Sequence, residues 1–254
     1  MTKRVEIIAH RGASHDAPEN TLAAVRLAWD QGADAVEADF RLTADGHVVA
    51  MHDASTARTT GVELSVGRAT LADLRRLDAG RWKGARWAGE PVPTLAEMLA
   101  TVPPGRRFFA EIKCGEEIVP ALSVVLRESV VSLRQIAVIS YDLAVLMGIK
   151  SLLPAIRVYL VASFEQDEAG RWTPDPHELI DRAQAAGLDG LDLMAGGPID
   201  AALVRAAKQA ALALCVWTVD ELPLARDLIA AGVDAVTTNR PGWLRESLFP
   251  DRGR

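Results

Sequence analysis

A six-residue pattern occurs three times along this 254-residue chain. Gln31-Gly32-Ala33-Asp34-Ala35-Val36 returns as Ala186-Gly187-Leu188-Asp189-Gly190-Leu191 and again as Ala231-Gly232-Val233-Asp234-Ala235-Val236. An Ala-rich amphipathic stretch precedes each glycine, and a β-branched or Leu-rich run follows it. Glycine suits the left-handed residue that closes a helix, and a few further residues suffice to turn into a strand. Repetition of a helix–Gly–turn–strand unit implies alternating α and β elements, hence a parallel sheet.

Short apolar runs bounded by turn residues place strands at Val5–His10, Ala35–Phe40, Arg107–Lys113, Gln135–Tyr141, Arg157–Ala162, Gly190–Met194, Ala211–Val219 and Ala235–Asn239. Helical patterns fall between most of them, at Asn20–Gln31, Glu117–Ser129, Leu143–Leu153, Pro176–Ala186, Asp200–Ala210 and Asp220–Ala231. This α/β alternation fits a (β/α)8 TIM barrel. An open doubly wound sheet would call for a Gly-rich phosphate loop after an early strand, and neither GxGxxG nor GxxxxGK[ST] occurs. Two segments depart from the rhythm. Asp45-Gly46 between apolar runs predicts a hairpin. Residues 53–93, rich in Arg, Gly and Thr and carrying Trp82 and Trp87, read as a small insertion after the His52 hairpin strand, with one short helix near Leu71–Leu77. A helix at Thr94–Val102 then rejoins the outer ring. The expectation is one domain over 1–254 with the insertion embedded in it; barrels of about 250 residues are ordinary.

Composition narrows the partners. With 49% hydrophobic and 24% charged residues, the chain can bury a full core without a metal or disulfide staple. A net charge of −6 provides no basic field for nucleic acid or anionic membranes. No stretch approaches the ~20 apolar residues of a membrane span, so no stable membrane insertion is expected. The opening MTKRVEIIAHRG has too short an apolar run for a secretion signal. Cys114 and Cys215 sit in strand-like runs without metal-ligand spacing and read as thiols in a reducing compartment. The expected location is cytoplasmic. No feature sets an oligomeric state.

In barrel enzymes the chemistry lies at the C-terminal ends of the strands. Here those ends carry His10-Arg11, Glu37 with Asp39, Glu111 with Lys113, Trp217-Thr218 and Thr238-Asn239. Side chains two apart on a strand share a face, so Glu37 and Asp39 point together, as do Glu111 and Lys113. Three carboxylates converging on one mouth repel unless a cation joins them. All-oxygen ligation suits Mg²⁺ or Ca²⁺ rather than Zn²⁺. An ion-pair network with Arg11 and Lys113 is the other arrangement those residues allow. A two-residue turn at Asp45-Gly46 would pair Ala44 with His47 and set His52 opposite Asp39. His10 and His52 would then overlook the carboxylates from two sides, a layout suited to acid–base work on a phosphate ester. Asn20 or Thr21 is a natural helix N-cap, while Glu19 could pair with Arg11. Trp217 either stacks on a small polar ligand or fills the mouth. His15 reads as a solvated loop residue, and His47 and His177 carry no assigned role.

In order along the chain stand His10-Arg11-Gly12, Pro18-Glu19-Asn20-Thr21, Glu37-Ala38-Asp39, His52-Asp53, Val92-Pro93-Thr94-Leu95, Glu111-Ile112-Lys113, Trp217-Thr218-Val219 and Thr238-Asn239-Arg240-Pro241. This series, spanning nearly the whole chain, closely resembles the glycerophosphodiester phosphodiesterase family. The resemblance implies a TIM barrel and metal-dependent hydrolysis of small-molecule glycerophosphodiesters to sn-glycerol 3-phosphate and an alcohol. Carried over motif by motif, it implies His10 and His52 as the general acid/base pair. Glu37, Asp39 and Glu111 become ligands of a divalent metal, Mg²⁺ or Ca²⁺. Arg11 and Lys113 contact the phosphate, and Trp217 lines the glycerol side. It also implies that the glycerol 2-hydroxyl can attack phosphorus first, through a cyclic phosphate. Asp220 departs from the pattern, because the family commonly has Asn after Trp-Thr-Val; Asp serves equally as the helix N-cap there. Two further readings share parts of this pattern. One is a phospholipase-D-like barrel acting on lysolipids or sphingomyelin, which should be secreted and disulfide-bonded. The other is a non-catalytic ligand-binding barrel, which should have lost a histidine or a metal carboxylate.

Overall fold

The computed structural model describes residues 5–250; of the domain expected over 1–254, residues 1–4 and 251–254 lie outside the described residues. Strand β1 (Glu6–Ala9) leads through a loop to α1 (Leu22–Asp30) and β2 (Ala35–Leu42), which folds back into β3 (Val48–Ala50). Two one-turn helices, α2 (Ala57–Thr60) and α3 (Leu71–Leu74), precede α4 (Leu95–Leu99) and β4 (Arg107–Ile112). Regular alternation follows with α5 (Val119–Glu128), β5 (Ile136–Ser140), α6 (Leu143–Leu152) and β6 (Arg157–Ala162). A small hairpin of β7 (Glu165–Gln166) and β8 (Trp172–Thr173) leads to α7 (Pro176–Ala185), β9 (Gly190–Met194), α8 (Ala201–Gln209) and β10 (Ala213–Trp217). Helix α9 (Leu222–Ala231), β11 (Ala235–Thr238) and α10 (Pro241–Leu248) follow as the last elements among the described residues.

Eight strands pair in parallel in the order β1, β2, β4, β5, β6, β9, β10, β11. The ring closes because Ile8 lies opposite both Thr237 of β11 and Ala35 of β2. This is the (β/α)8 barrel that the repeats imply. Alternation along each strand divides the residues between two compartments. Ile7, Ala9, Val36, Ala38, Phe40 and Phe108 face outward into the layer beneath the helices. Ile8, Ala35, Phe109, Ile139, Tyr159 and Cys215 fill the barrel. Phe40 and Phe108 sit with ring centroids 6.1 Å apart, and burial of each such side chain stabilises the fold by roughly 1.5–3 kcal/mol.

The repeated hexamer has a physical explanation in both its glycine and its aspartate. Gly232 closes α9 at φ +97°, a left-handed conformation that a Cβ disfavours, and donates its N–H to Leu228 and Ile229 carbonyls. The aspartate two residues on ties each new strand to its neighbour. Asp34 Oδ2 accepts the Ile7 amide at 3.1 Å, Asp189 Oδ2 that of Val158 at 2.8 Å, and Asp234 Oδ2 that of Leu214 at 3.0 Å.

The hairpin register differs from expectation by one residue. Phe40 faces Ala50, Arg41 faces Val49 and Leu42 faces Val48. The loop is Ala44-Asp45-Gly46, since Thr43 N–H bonds His47 O at 2.9 Å and Gly46 takes φ +83°. Thr43 Oγ1 donates to Asp45 Oδ1 at 2.6 Å and accepts the His47 amide at 2.9 Å, which stabilises the longer turn. His52 therefore does not sit opposite Asp39; Met51 donates its amide to the Asp39 carbonyl at 3.0 Å, and His52 lies one residue further, past the end of β3. The β7–β8 hairpin was not expected, because two-residue strands carry no period. Around the one-turn helices, Val49, Met51, Val66, Leu74, Ala79 and Val92 form a small apolar cluster of their own. Lys83 Nζ donates to the Ser14 carbonyl at 2.6 Å and Arg86 to the Asp16 carbonyl at 2.9 Å, fastening this segment over the loop after β1.

Candidate active site

The site begins where β1 ends. Arg11 adopts φ +55° and Gly12 φ +79°, so the chain reverses directly after His10. A Cβ on Gly12 would meet the Ala24 carbonyl carbon at 2.5 Å, which leaves no room for another residue. The reversal aims the Arg11 amide at Glu37 Oε2, 2.9 Å away. The Arg11 guanidinium meanwhile reaches Asp39 Oδ2 at 3.0 Å through Nε and Glu19 Oε1 at 2.9 Å through Nη1. Asn20, also left-handed at φ +58°, clamps Asp39 from the other side. Its Nδ2 donates to Asp39 Oδ2 at 2.9 Å and its Oδ1 accepts the Asp39 amide at 3.1 Å. Thr21, not Asn20, is the N-cap of α1.

Glu37, Asp39 and Glu111 offer three ligand oxygens that lie within 4.8 Å of one another. All three residues are buried, and Asp39 stands beside Glu111 in the β2–β4 register. Lys113 reaches across to Asp39 Oδ1 at 3.3 Å and is ion-paired with Glu111. Both cations named in the ion-pair alternative thus touch the acids, but they do not balance them. Asp192, on β9 and 4% exposed, is a fourth buried carboxylate. Arg11 and Lys113 face these four acids, and Arg11 is shared with Glu19 as well, so negative charge exceeds positive charge at the mouth. Glu37 Oε1 and Asp192 Oδ1 are buried without a hydrogen-bond partner, a state that costs free energy until something fills it. An oxygen-only donor set of this kind fits Mg²⁺ or Ca²⁺.

Electrostatics follow from that imbalance. Burial, then Asp39 and Glu111, raises the Glu37 carboxyl well above the usual range. Burial and Asp39 push Glu111 to about 7 despite Lys113, and burial with Glu111 pushes Asp192 to about 8. Burial opposes ionisation of Asp39 as well, yet Arg11, Lys113 and His52 outweigh it and hold that carboxyl below its ordinary value.

The two histidines flank this cluster, each with Nδ1 already engaged. His10 Nδ1 lies 2.8 Å from Asn239 Oδ1, which also accepts from Ser14 Oγ at 2.8 Å. Burial, then the Arg11 charge, lowers the His10 pKa and favours neutral imidazole. His52 Nδ1 lies 2.6 Å from Asp53 Oδ1. Asp53, held near a pKa of about 2 against burial by Arg58 and His52, bonds Arg58 at 2.6 Å; Arg58 in turn grips both Glu19 oxygens at 2.8 Å. A chain of alternating charge therefore joins His52 to Arg11 through Glu19. Arg41 holds the His52 carbonyl with two donors at 2.8 and 2.9 Å, so the histidine is placed by its backbone rather than by strand register.

Trp217 stands on the far side. Its indole N–H donates to the Asp192 carbonyl at 3.1 Å, and its ring meets Tyr141 edge-on at 6.3 Å. Lys113 Nζ lies 5.7 Å from the Tyr141 ring centroid. A cleft of about 250 Å³ opens beside His10 and Arg11, lined also by Ser14, His15, Glu19, Trp82, Lys83, Asp220 and Asn239. His15 is exposed and bonds Asp16 at 2.8 Å. Asp220 does not cap α9; Glu221 precedes that helix, and Asp220 instead accepts hydrogen bonds from Thr238 and Asn239.

The structure thus gathers all eight expected positions, His10, His52, Arg11, Lys113, Trp217, Glu37, Asp39 and Glu111, at the C-terminal mouth of the barrel. Sequence reasoning gave no role to Asp53, Arg58 or Asp192, read Asn20 as an N-cap candidate rather than a clamp on Asp39, and named Asn239 and Asp220 without pairing them. Asp192 and Asn239 carried a signal, because each falls on the inward parity of its strand.

The chain matches the glycerophosphoryl diester phosphodiesterase family over residues 10–243. A protein of Caldanaerobacter subterraneus subsp. tengcongensis named glycerophosphodiester phosphodiesterase is 33% identical over 244 residues, covering 94% of this chain and 95% of its own. Among solved structures, an Oleispira antarctica phosphodiesterase in complex with the product sn-glycerol-3-phosphate is 30% identical with a TM-score of 0.85, and the match covers 96% of each chain. A glycerophosphodiester phosphodiesterase of Agrobacterium tumefaciens is 28% identical with a TM-score of 0.75, over 95% of this chain and 99% of that one. The chain belongs to the glycerophosphoryl diester phosphodiesterase family.

Proposed function

We propose that this enzyme hydrolyses glycerophosphodiesters to sn-glycerol 3-phosphate and an alcohol, using Mg²⁺ or Ca²⁺ held by Glu37, Asp39 and Glu111. The observation that carries this reading is the pair of histidines flanking an under-compensated buried acid cluster, each with Nδ1 engaged and Nε2 left for substrate. The product bound in the Oleispira antarctica relative supports the substrate class. When bound, the cation offsets phosphate charge and polarises a P–O bond.

The chain's own groups supply the rest. Arg11 uses Nε and Nη1 on Asp39 and Glu19, which leaves Nη2 for a phosphoryl oxygen; Lys113 keeps one donor beyond its two acids. Neutral His10 takes a proton through Nε2 from the attacking oxygen. His52, oriented by Asp53, gives one to the departing alcohol oxygen, and the exchange of roles restores both. Trp217 with Tyr141 walls the glycerol side. Residues 53–93 act as an insertion within one catalytic domain that overhangs the cleft with Trp82 and Lys83. Among the described residues no helix is long and apolar enough to cross a membrane. Both cysteines are free thiols, which supports a reducing, cytoplasmic setting.

The test is release of glycerol 3-phosphate from glycerophosphocholine and related diesters, with and without chelator, in wild type and in His10→Ala and His52→Ala. Turnover should vanish with chelator, and each variant should lower the rate by about 10²–10⁴-fold. Metal-loaded wild type that turns over no glycerophosphodiester refutes the proposal, and near-wild-type rates in the variants refute the histidine roles.

A further inference from the structure

We propose that Asp220 is a positioning residue for His10, acting through Asn239: it locks the Asn239 amide in one orientation and thereby fixes His10 as the Nδ1–H tautomer with a free Nε2. The inference deepens the hydrolase reading and rests on it for its catalytic consequence, but not for its geometry.

The argument is one of donors and acceptors. A carboxylate only accepts. Asp220 Oδ1 receives Thr238 Oγ1–H and the Asn239 backbone N–H, each at 2.8 Å. Asp220 Oδ2 lies 2.5 Å from the Asn239 side-chain nitrogen. That contact forces the amide NH₂ toward Asp220 and the amide oxygen toward His10 and Ser14, each 2.8 Å away. An oxygen facing His10 Nδ1 requires a proton on Nδ1. The tautomer of a histidine is set by the partner of its other nitrogen, so Nε2 is left with its lone pair in the cleft. An amide at residue 220 would offer both an oxygen and an NH₂. It can therefore pair with Asn239 in either orientation, and a turned-over Asn239 would put an N–H against Nδ1 and the proton on Nε2. The aspartate removes that second state. Burial and the Arg11 charge lower the His10 pKa and so favour the neutral imidazole, the form that has two tautomers.

The experiment uses full-length protein labelled with ¹⁵N-histidine. Long-range ¹H–¹⁵N correlation reads the tautomer, and His10→Gln identifies the His10 signals by their loss. Wild type should show His10 as Nδ1–H, whereas Asp220→Ala should show a mixture or the Nε2–H form. In steady-state assays with Mg²⁺ and glycerophosphocholine, Asp220→Ala should lower kcat about 10–100-fold with KM changed far less, the size expected for an orienting partner. Asp220→Asn preserves volume, so it carries the same comparison should the alanine variant not fold. It should populate both tautomers and lose less kcat. A wild-type His10 in the Nε2–H form, or an unchanged tautomer in the variants, overturns the proposal. A change confined to KM does so as well. Wild type that turns over no diester refutes the hydrolase reading instead, and the tautomer comparison then still decides whether Asp220 sets His10.

Discussion

Glu111→Gln should make the metal-free protein more stable while destroying its function, and the gain should depend on pH in a defined direction. Glu111 is 8% exposed, and burial with Asp39 raises its carboxyl from 4.5 to about 7. The folded state thus holds the proton more tightly than the unfolded chain. Above about pH 7 the ionised group destabilises the fold in full. That penalty shrinks as pH falls through 7 and is gone below the unfolded value near 4.5. A displacement of this size corresponds to about 3 kcal/mol. Glutamine keeps the shape without the charge, but Lys113 loses one of its two acids and is left with Asp39, so about 3 kcal/mol is a ceiling. For a domain of this length that translates into a Tm increase of up to roughly 6–10 °C. The assay is thermal unfolding in chelator at pH 8 and pH 5. The variant should melt higher at pH 8, the gap should close at pH 5, and Mg²⁺ should raise the Tm of wild type only. A variant no more stable at pH 8, or a gap that ignores pH, would refute the idea that these acids are held together against their own repulsion to receive a cation.

Three other expectations come from the same geometry. Asn20→Ala removes its two hydrogen bonds to Asp39, and titration calorimetry should show Mg²⁺ affinity reduced about 10–100-fold; unchanged affinity would make Asn20 a loop residue only. Gly12→Ala places a methyl 2.5 Å from the Ala24 carbonyl carbon at φ +79°, and the left-handed strain alone is about 1–2 kcal/mol. The urea midpoint should drop markedly, and a wild-type midpoint would contradict the close approach of β1's loop to α1. Arg41→Met frees the His52 carbonyl from its two donors; kcat should fall by about tenfold or more with the fold intact by circular dichroism, and full activity would show that His52 needs no such anchor.

The barrel was legible because its two periods are local. Alternation along Ala35–Leu42 decides that Glu37 and Asp39 point inward with Ala35 while Val36 and Ala38 point outward. The same parity, applied to Gly190–Met194, would have placed Asp192 inside with Glu111, and applied past Ala235–Thr238 it would have aimed Asn239 at His10. Asn239 stands among the strand-end residues that the sequence offers, and Asp192 follows from the same parity. The hairpin was not readable in the same sense. One residue more in the loop, stabilised by Thr43 and Asp45 side chains, slips the register by one and reverses every facing pair. The inference from register to His52 therefore failed. His52 still reaches Asp39 closely enough to lower its pKa, because Arg41 pins its carbonyl.

Residues that orient others are harder to read than residues that react, and the reason is distance along the chain. Asn239 meets His10 across 229 positions, Arg58 meets Glu19 across 39, and Asn20 meets Asp39 across 19. Each contact depends on loop conformations, such as the left-handed Arg11 and Asn20, that no hydrophobic period encodes. The charge count shows the same separation of scales. A net charge of −6 describes the whole chain and says nothing of a mouth where, among the described residues, Glu37, Asp39 and Glu111 gather beside Asp192 with Arg11 and Lys113 ion-paired to them. A bound cation would turn that local excess around for an anionic phosphodiester. The acid cluster, which by itself would repel an anionic phosphodiester, is the feature that supports the proposed divalent ion.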